Sequence, residues 1–201
     1  MKKILLMISL ISFVFSNDNI ASTLIKKINY KNNIYKLYSN FDNNKLKYSC
    51  NIIKIVNDKQ LWEKEYIDAN KNYRCKDMIL ENNKLYLYGS INDTSISYNA
   101  ASAWISKLNV KNKIDKSIEW YISSSNSVEY IKYNKNKFMI MVFSINNGIN
   151  STSFFIANKE LEIKHIATYE GIRLTSEDLI FDKNSIKFKY NENNFSLTIG
   201  D

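Results

Sequence analysis

A short phrase, in which a polar Asn-containing turn precedes alternating apolar residues, recurs four times along the chain. It is written NNIYKLYSN (32–40), NNKLYLYGS (82–90), KNKFMIMVFS (135–144) and KNSIKFKYN (183–191). When Asn33, Asn83, Asn136 and Asn184 are aligned, the intervals are 50, 53 and 48 residues. Apolar residues at every second position predict strands with one buried face. A repeat of this period predicts stacked units, because one unit cannot cover its own apolar face.

Further short strands flank each phrase. One strand precedes it, at 24–30, 75–81, 128–134 and 177–182, and a third strand follows it, at 49–56, 102–110, 151–158 and 194–200. A fourth strand follows in the first three units only, at 60–66, 117–123 and 162–169. Pro is absent and only 4 residues are Gly, so Asn, Asp and Ser must form the turns.

Four antiparallel strands in a repeat of about 40–50 residues are typical of β-propeller blades. We therefore expect an all-β fold, a small β-propeller-like array of about four antiparallel blades whose last blade is incomplete. A β-sandwich is the alternative. The repeat units cover about 24–66, 75–123, 128–169 and 177–201, within a single domain at 17–201.

The second unit resembles the repeat of secreted bacterial β-propeller proteins. That repeat runs W-x-K-x-Y, then a hydrophobic-Gly-Tyr strand, then D-A-W-x-x-K-L. The residues that match are Trp62, Lys64, Tyr66, Gly89, Ala103, Trp104, Lys107 and Leu108, while Ser102 stands where Asp is usual. The match is strong over 61–123, and the other units follow it loosely. The resemblance implies a propeller-like scaffold that binds rather than catalyses, and it brings no catalytic residues.

The N-terminus has the pattern of an export signal. Lys2 and Lys3 precede an apolar run, Ile4 to Phe15, and Ser16 offers a small residue before a cut at Asn17. This run of twelve residues is shorter than the roughly 20 apolar residues that span a bilayer, although an uncleaved anchor is the alternative. We expect residues 1–16 to be a signal peptide and the mature chain to be periplasmic or secreted, without a transmembrane segment.

The two cysteines, Cys50 and Cys75, are predicted to form one disulfide. An even count in an exported protein favours a bridge, whereas two buried free thiols are the alternative. Both residues are expected near the starts of strands that run the same way in neighbouring blades. A bond between them would pin two blades together.

The sequence offers little that could support catalysis. The single histidine, His165, lies in an alternating strand and is expected in a core or interface. The pairs Glu63/Glu65 and Glu160/Glu162 are expected to be solvated carboxylates, and a glycosidase pair is the alternative. No metal-ligand or cofactor-binding motif appears. We therefore predict a non-enzyme that uses no cofactor and no metal.

The tryptophans and the lysines each allow two interpretations. Packing between blades is expected for Trp62, Trp104 and Trp120, and a sugar-stacking platform is the alternative. The chain holds 28 basic and 20 acidic residues, with the excess in the first unit. Its lysines could protect strand edges or form a patch for an anionic partner: Lys26, Lys27, Lys31, Lys36, Lys45 and Lys47. No nucleic-acid motif is present.

The last unit suggests a modification site and an open edge. Glu192 stands two residues before Asn194 in an N-x-S sequon, which resembles the extended sequon of bacterial N-glycosylation. The strand with Phe195, Leu197 and Ile199 has no fourth strand after it in the sequence. Residues 17–23, a partner chain or a glycan could cover this edge, and we favour a partner or self-association.

Architecture without evident chemistry suggests a function in binding. We expect an exported, non-catalytic protein-interaction or scaffold module of the bacterial cell envelope. Such a module would dock onto a larger periplasmic assembly, such as a flagellar motor, secretion or outer-membrane complex. Binding of glycan or cell wall through exposed aromatics is the alternative.

Overall fold

The computed structural model describes residues 19–93, 100–110, 114–134, 136–182 and 185–198. The predicted signal peptide at 1–16 lies outside these ranges, as do Asn184 and Ile199. Within the described ranges the chain is almost entirely β-structure, with a single 3-10 turn at Ser176–Asp178. None of the helical structure in those ranges is long and apolar enough to cross a membrane.

The first two sheets each contain four strands in sequence order. Blade 1 consists of β1 (Ile20–Tyr30), β2 (Asn33–Asp42), β3 (Lys47–Val56) and β4 (Lys59–Tyr66). Blade 2 consists of β5 (Lys71–Glu81), β6 (Lys84–Asp93), β7 (Ser102–Asn109) and β8 (Ile114–Trp120). Each strand pairs antiparallel with the next one along the chain, as expected for hairpin-connected strands.

The third sheet is complete and the fourth has three described strands. Blade 3 consists of β9 (Ser125–Asn134), β10 (Lys137–Asn146), β11 (Ile149–Ala157) and β12 (Ile163–Glu170). Blade 4 consists of β13 (Leu179–Phe181), β14 (Ser185–Tyr190) and β15 (Asn193–Thr198). The fold is therefore an all-β, propeller-like array of four antiparallel blades, as predicted, with three strands described in the fourth blade, and the β-sandwich alternative is wrong.

Asparagine and aspartate supply the tight turns, as the scarcity of glycine requires. Asn82 and Asn83 join β5 to β6 with φ values of 50° and 59°, and Asn57 and Asp58 join β3 to β4 with 49° and 60°. Two successive residues with positive φ are the geometry of a type I′ hairpin, which asparagine tolerates better than most residues. The turns therefore form without the Gly that usually occupies them.

The strand register repeats from blade to blade. In each complete blade the pairing of the first and second strands contains a shift of register. The shifts lie at Leu24/Lys26, Cys75/Asp77 and Met141/Val142. The third and fourth strands have another, at Lys54/Ile55, Lys107/Leu108 and Phe154/Phe155. The second and third strands pair without a shift. Bulges bend and twist a strand, so the same sequence of bends shapes all three blades.

Three apolar cores connect the blades in series. The core between blades 1 and 2 contains Leu37, Ile52, Leu87 and Trp104, among others. The core between blades 2 and 3 contains Tyr86, Ile105, Phe138 and Val142, among others. The core between blades 3 and 4 contains Met139, Met141, Phe154, Leu179, Ile186 and Phe188, with Leu174. Each core joins consecutive blades, so blade 1 and blade 4 are the end blades of the part of the chain that the structure describes.

Gly89 lies in the middle of β6. It is paired with Cys75 at the bulge in β5. A Cβ atom at position 89 would lie 2.0 Å from the main-chain oxygen of Arg74. The two backbones therefore approach closely at this glycine, and the approach results from the bulge.

Candidate functional site

Cys50 and Cys75 form the predicted disulfide between two blades. Their Cα atoms are 5.9 Å apart, and both residues are buried in the core between blades 1 and 2. Cys50 lies within β3 and Cys75 within β5, the innermost strand of blade 2, rather than at strand starts. The bond therefore links the third strand of one blade to the first strand of the next.

The tryptophans lie in the cores between blades. Trp104 is fully buried between blades 1 and 2, and its Nε1 donates a hydrogen bond to Ser117 Oγ at 2.8 Å. Trp62 packs against the same core, and its Nε1 donates to the Val110 oxygen at 3.2 Å. Trp120 packs edge-on against Phe155, with ring centroids 5.9 Å apart, between blades 2 and 3. This arrangement matches inter-blade packing and leaves the indole rings poorly placed to stack on a sugar.

A buried tyrosine accompanies Trp104. The Tyr66 ring lies 5.4 Å from the Trp104 ring, nearly perpendicular to it, and Ser106 Oγ donates to the Tyr66 hydroxyl at 3.4 Å. Burial raises the pKa of Tyr66 to about 12. This end of the array is thus a closed aromatic core in which a phenolate is strongly disfavoured.

His165 is exposed on β12, so its expected core position is wrong. The ring packs edge-on against Phe155 at 5.2 Å, and Nε2 lies 2.9 Å from Thr168 Oγ1. β12 is the outermost strand of blade 3, and the bulge at Phe154/Phe155 lies beside it. Solvent therefore reaches a residue that simple alternation placed inside.

The carboxylates identified in the sequence are engaged in structural contacts. Glu65 accepts a hydrogen bond from Ser49 Oγ at 2.9 Å, and Glu63 accepts one from Gln60 Nε2 at 3.0 Å. Glu162 accepts one from Asn158 Nδ2. Within the described ranges, no group of three or more His, Cys, Asp or Glu side chains is arranged to hold a metal ion.

Ion pairs connect neighbouring blades, a feature that sequence reasoning missed. On the innermost strands, Lys26 Nζ lies 3.3 Å from Asp77 between blades 1 and 2, and Lys76 Nζ lies 2.7 Å from Glu129 between blades 2 and 3. The contacts join equivalent strands of successive blades. The sequence could have indicated these pairs, because each lysine and its carboxylate are separated by about one repeat.

A third inter-blade pair is more buried. The Lys107 side chain is only 4% exposed, yet its Nζ lies 3.1 Å from Glu160 Oε2 and donates to the Lys159 oxygen at 3.2 Å. Hydrogen bonding and charge from Lys107 lower the pKa of Glu160. Lys107 and Glu160 belong to different blades, so the pair fixes blade 2 against the β11–β12 turn of blade 3.

The six lysines considered for an anionic partner do not form one patch. Lys27 and Lys36 are directly opposite each other on the uncovered side of blade 1. Lys26 points to the other side, where it pairs with Asp77. Lys27 and Lys36 therefore bring two positive charges together on this face, an arrangement that is destabilising in a sheet.

The remaining three lysines of that set lie at the two ends of blade 1. Lys31 is in the β1–β2 turn, with its Nζ 5.3 Å from the Tyr30 ring centroid. At the opposite end, Lys45 Nζ lies 3.4 Å from Asp42, and Lys47 Nζ donates to the main chain of residues 68 and 69. They do not join Lys27 and Lys36 in one surface.

The sequon residues differ in accessibility. Asn194 is exposed on β15, on the outer side of blade 4. Asn92 is only 7% exposed, and its Nδ2 donates to the Ala100 oxygen at 3.0 Å. Asn92 begins a second, short-form sequon with Asp93 and Thr94, and Thr94 lies outside the described residues. Of these two asparagines, Asn194 has the accessibility that glycosylation needs.

The strand β15 pairs with β14 and, among the described strands, with no other. Its apolar side chains point inward: Phe195 stacks on Phe188 with centroids 4.8 Å apart, and its ring lies 5.4 Å from Tyr169 of blade 3. Leu197 packs against the same core. The apolar face is therefore packed against blade 3, and the open element is the main-chain edge.

The segment at 17–23 does not cover this edge in its described part. Residues 20–23 belong to β1 and pair with β2, from Asp42 to Ser39. They became strand because β2 extends far enough to pair with them.

The two end faces of the array differ in polarity. The outer side of blade 1 presents half-buried Ile34, Tyr38, Ile53 and Ile55. The outer side of blade 4 presents Ile180, Lys187, Lys189 and Ser196, all exposed. Blade 4 thus has the polar outer face of a terminal repeat, whereas blade 1 is more apolar.

No family model matches the chain, and no curated protein sequence is significantly similar to it. Among solved structures, the acylaminoacyl peptidase of Pyrococcus horikoshii superposes with a TM-score of 0.52 and 15% identity, covering 83% of this chain and 27% of that one. An acylaminoacyl peptidase in complex with Z-Gly-Gly-Phe-chloromethyl ketone gives 0.52 and 13%, covering 88% and 32%. The β-propeller domain of the Trilobed protease from Pyrococcus furiosus gives 0.47 and 13%, covering 88% and 57%.

The chain spans about a quarter to a third of the length of the first two peptidase structures. At identities of 13–15% the likeness concerns the fold alone. It agrees with the four stacked antiparallel sheets seen here.

Proposed function

We propose that this chain is an exported, non-catalytic protein-interaction module of the cell envelope that docks onto a larger assembly. The observation that carries the proposal is the serial stacking of the blades. Among the described residues, the three cores connect blade 1 to blade 2, blade 2 to blade 3, and blade 3 to blade 4. Such an array offers a partner two end faces and the edge of β15.

The compartment rests on two features. The disulfide fits an oxidising environment, where such bonds form and persist. The sequence of residues 1–16 has the charged, apolar and small-residue order of an export signal. Together they favour the periplasm or the extracellular space.

Two groups of side chains support binding of a protein partner: the candidate catalytic residues and the tryptophans. The carboxylates and the histidine considered for catalysis are held in structural contacts or lie apart. Trp62, Trp104 and Trp120 pack into cores, so these three indole rings do not support the glycan alternative. A protein partner can instead use backbone edges and mixed polar faces, which this array presents.

The test is recovery of a partner from intact envelopes. A C-terminally tagged full-length chain is expressed in its own host, cross-linked in the cells and purified from the envelope fraction. We expect a partner in constant ratio to the tagged chain. A matched variant without residues 2–16 should stay in the cytosol and lose that partner.

Two results would contradict the proposal. A chain that is recovered alone from cross-linked envelopes, as a monomer, would show no docking. A tagged chain that remains in the cytosol despite an intact N-terminus would show no export. Trp fluorescence titrated with cell-wall fragments tests the glycan alternative, for which we expect no quenching.

A further inference from the structure

We propose that β15 accepts an extended strand from a partner protein, which becomes the fourth strand of blade 4. This inference deepens the proposed function and rests on it. It starts from a comparison of β15 with the three outermost strands β4, β8 and β12. Those strands are the true outer edges of complete blades, so they show how this chain protects an edge from unwanted pairing.

The first difference is in register. Each of the pairs β3–β4, β7–β8 and β11–β12 contains an irregularity, at Lys54/Ile55, Lys107/Leu108 and Phe154/Phe155. Bulges twist an edge away from further pairing. The β14–β15 pair runs from Tyr190/Asn193 to Ser185/Thr198 without a shift. In this respect β15 resembles a third strand, because the second and third strands of complete blades also pair regularly.

The second difference is in charge. The outer strands β4, β8 and β12 have the sequences KQLWEKEY, IDKSIEW and IKHIATYE, and each carries charges of both signs. Charged side chains on an edge discourage another chain from pairing with it. The sequence of β15, NNFSLT, carries none. Two independent devices that protect the other outer edges are thus missing from β15 alone.

The apolar side chains of β15 are incompletely covered. Tyr169 of β12 lies edge-on to both Phe188 and Phe195, at 5.1 and 5.4 Å. Phe195 and Leu197 nevertheless remain only half-buried. An added strand would place every second side chain beside Phe195 and Leu197. The partner segment should therefore carry apolar residues at alternate positions and polar residues between them.

The geometry favours a free extended segment over a second copy of this chain. Symmetric pairing of two β15 strands would put the packed faces of both blades on the same side. Blade 3 lies on that side in each copy, because Tyr169 of β12 contacts Phe188 and Phe195. The two copies of blade 3 would then be crowded together on one side of the shared edge. A segment that is not itself part of a stacked blade meets no such obstacle.

The test uses the full-length chain in its host. A photo-reactive benzoylphenylalanine replaces Ser196, which is exposed beside the open edge. We expect it to cross-link the partner recovered under the proposed function. The same probe at Gln60, on the protected edge β4, is the matched control and should give little product.

Edge variants provide the second measurement. The double variant Ser196→Lys/Thr198→Lys keeps both side chains exposed and adds the charge that the other edges have. We expect partner recovery to fall about tenfold, equivalent to about 1.4 kcal/mol of binding free energy. Gln60→Lys should leave recovery unchanged. Unfolding midpoints of the variants verify that blade 4 is intact.

The outcomes separate the two proposals. Partner recovery that survives the double variant, with no cross-link from position 196, would overturn this inference and leave the docking function standing. Failure to recover any partner would overturn both. A cross-link from position 196 to a second copy, or to residues 1–18 of the same chain, would show that the commitment to a separate partner is wrong.

Discussion

Blade 2 and blade 4 are built from the same repeat, yet one is buried on both sides and the other on one. In β6, the sequence KLYLYGS buries Leu85 and Leu87 against blade 1 and Tyr86 and Tyr88 against blade 3. In β14, the sequence SIKFKY buries alternate residues and exposes the lysines between them. The number of neighbours thus decides whether the second face of the strand is apolar or charged.

The two ends of the array also differ in how firmly they are held. Blade 1 is bonded to blade 2 through Cys50 and Cys75, and Trp104 fills the core beside that bond. Blade 4 packs on blade 3 with three described strands. In a stacked array each unit is stabilised by its neighbours, so we expect stability to fall from blades 1 and 2 toward blade 4.

The largest effect is expected from the core between blades 1 and 2. Trp104 has no exposed area, so Trp104→Ala should lower the free energy of unfolding by about 3–5 kcal/mol. Phe195→Ala, at a half-buried position in blade 4, should lower it by less than half as much. Urea unfolding of the oxidised proteins measures both. Equal losses at the two sites would contradict a graded array.

The disulfide should contribute almost as much. It joins residues 25 positions apart, and closing a loop of that length stabilises the fold by about 3–4 kcal/mol in the chain-entropy model. The Cys50→Ala/Cys75→Ala variant should lose this amount in urea unfolding. Reduction of the native protein should cost a similar amount, whereas the variant should be insensitive to reductant. Detection of two free thiols in the unmutated protein, after denaturation without reductant, would refute the bond.

Gly89 offers a smaller change within blade 2. The Cβ atom of Gly89→Ala would overlap the Arg74 oxygen at 2.0 Å, and separating these strands should cost about 1–3 kcal/mol. Gly148, in the β10–β11 turn, is the matched control, because a Cβ there has no atom within 4 Å. Its φ of 79° makes Gly148→Ala mildly unfavourable, about 1 kcal/mol. A smaller loss at Gly89 than at Gly148 would show that the bulge can relax.

The sequence predicted most of the architecture, because strand alternation and Asn turns are local signals. The three complete blades and the three-strand fourth blade follow from the repeat alone. Burial of both faces of β6 could not be predicted from the repeat. Alternation at every second residue predicts one buried face, and the second face is buried because blade 2 lies between two other blades. The lysines of β14 indicate one exposed face and the apolar run of β10 indicates two buried faces. This can be recognised only once the position of each blade in the array is known.

The candidate site was predicted less completely. The Cys50–Cys75 pair followed from the even cysteine count, since it leaves one pairing. The arrangement of the six lysines did not follow from the sequence. Lys26 and Lys27 are adjacent in the strand, so their side chains point to opposite sides of blade 1. The absence of bulges beside β15 could not be read at all, since a bulge depends on register between two strands. Inter-blade pairs such as Lys107–Glu160 likewise depend on how neighbouring repeats pack.

The last predicted effect, similar in size to that of Gly89→Ala, concerns pH and again compares the closed core with the open end. Burial raises the pKa of Tyr66 to about 12 from its ordinary 10.0. Because the folded pKa lies above the unfolded one, this stabilisation is complete below pH 10 and is lost as the pH rises toward 12. The loss should reach about 2–3 kcal/mol, at about 1.4 kcal/mol for each unit. Tyr66→Phe should lose correspondingly less stability between pH 9 and 12, measured by urea unfolding at each pH.

The half-buried Tyr169, whose pKa is also raised by burial, is the comparison at the open end. If Tyr169→Phe flattened the pH profile as much as Tyr66→Phe, the core between blades 1 and 2 would be no more closed to solvent than the edge of blade 4.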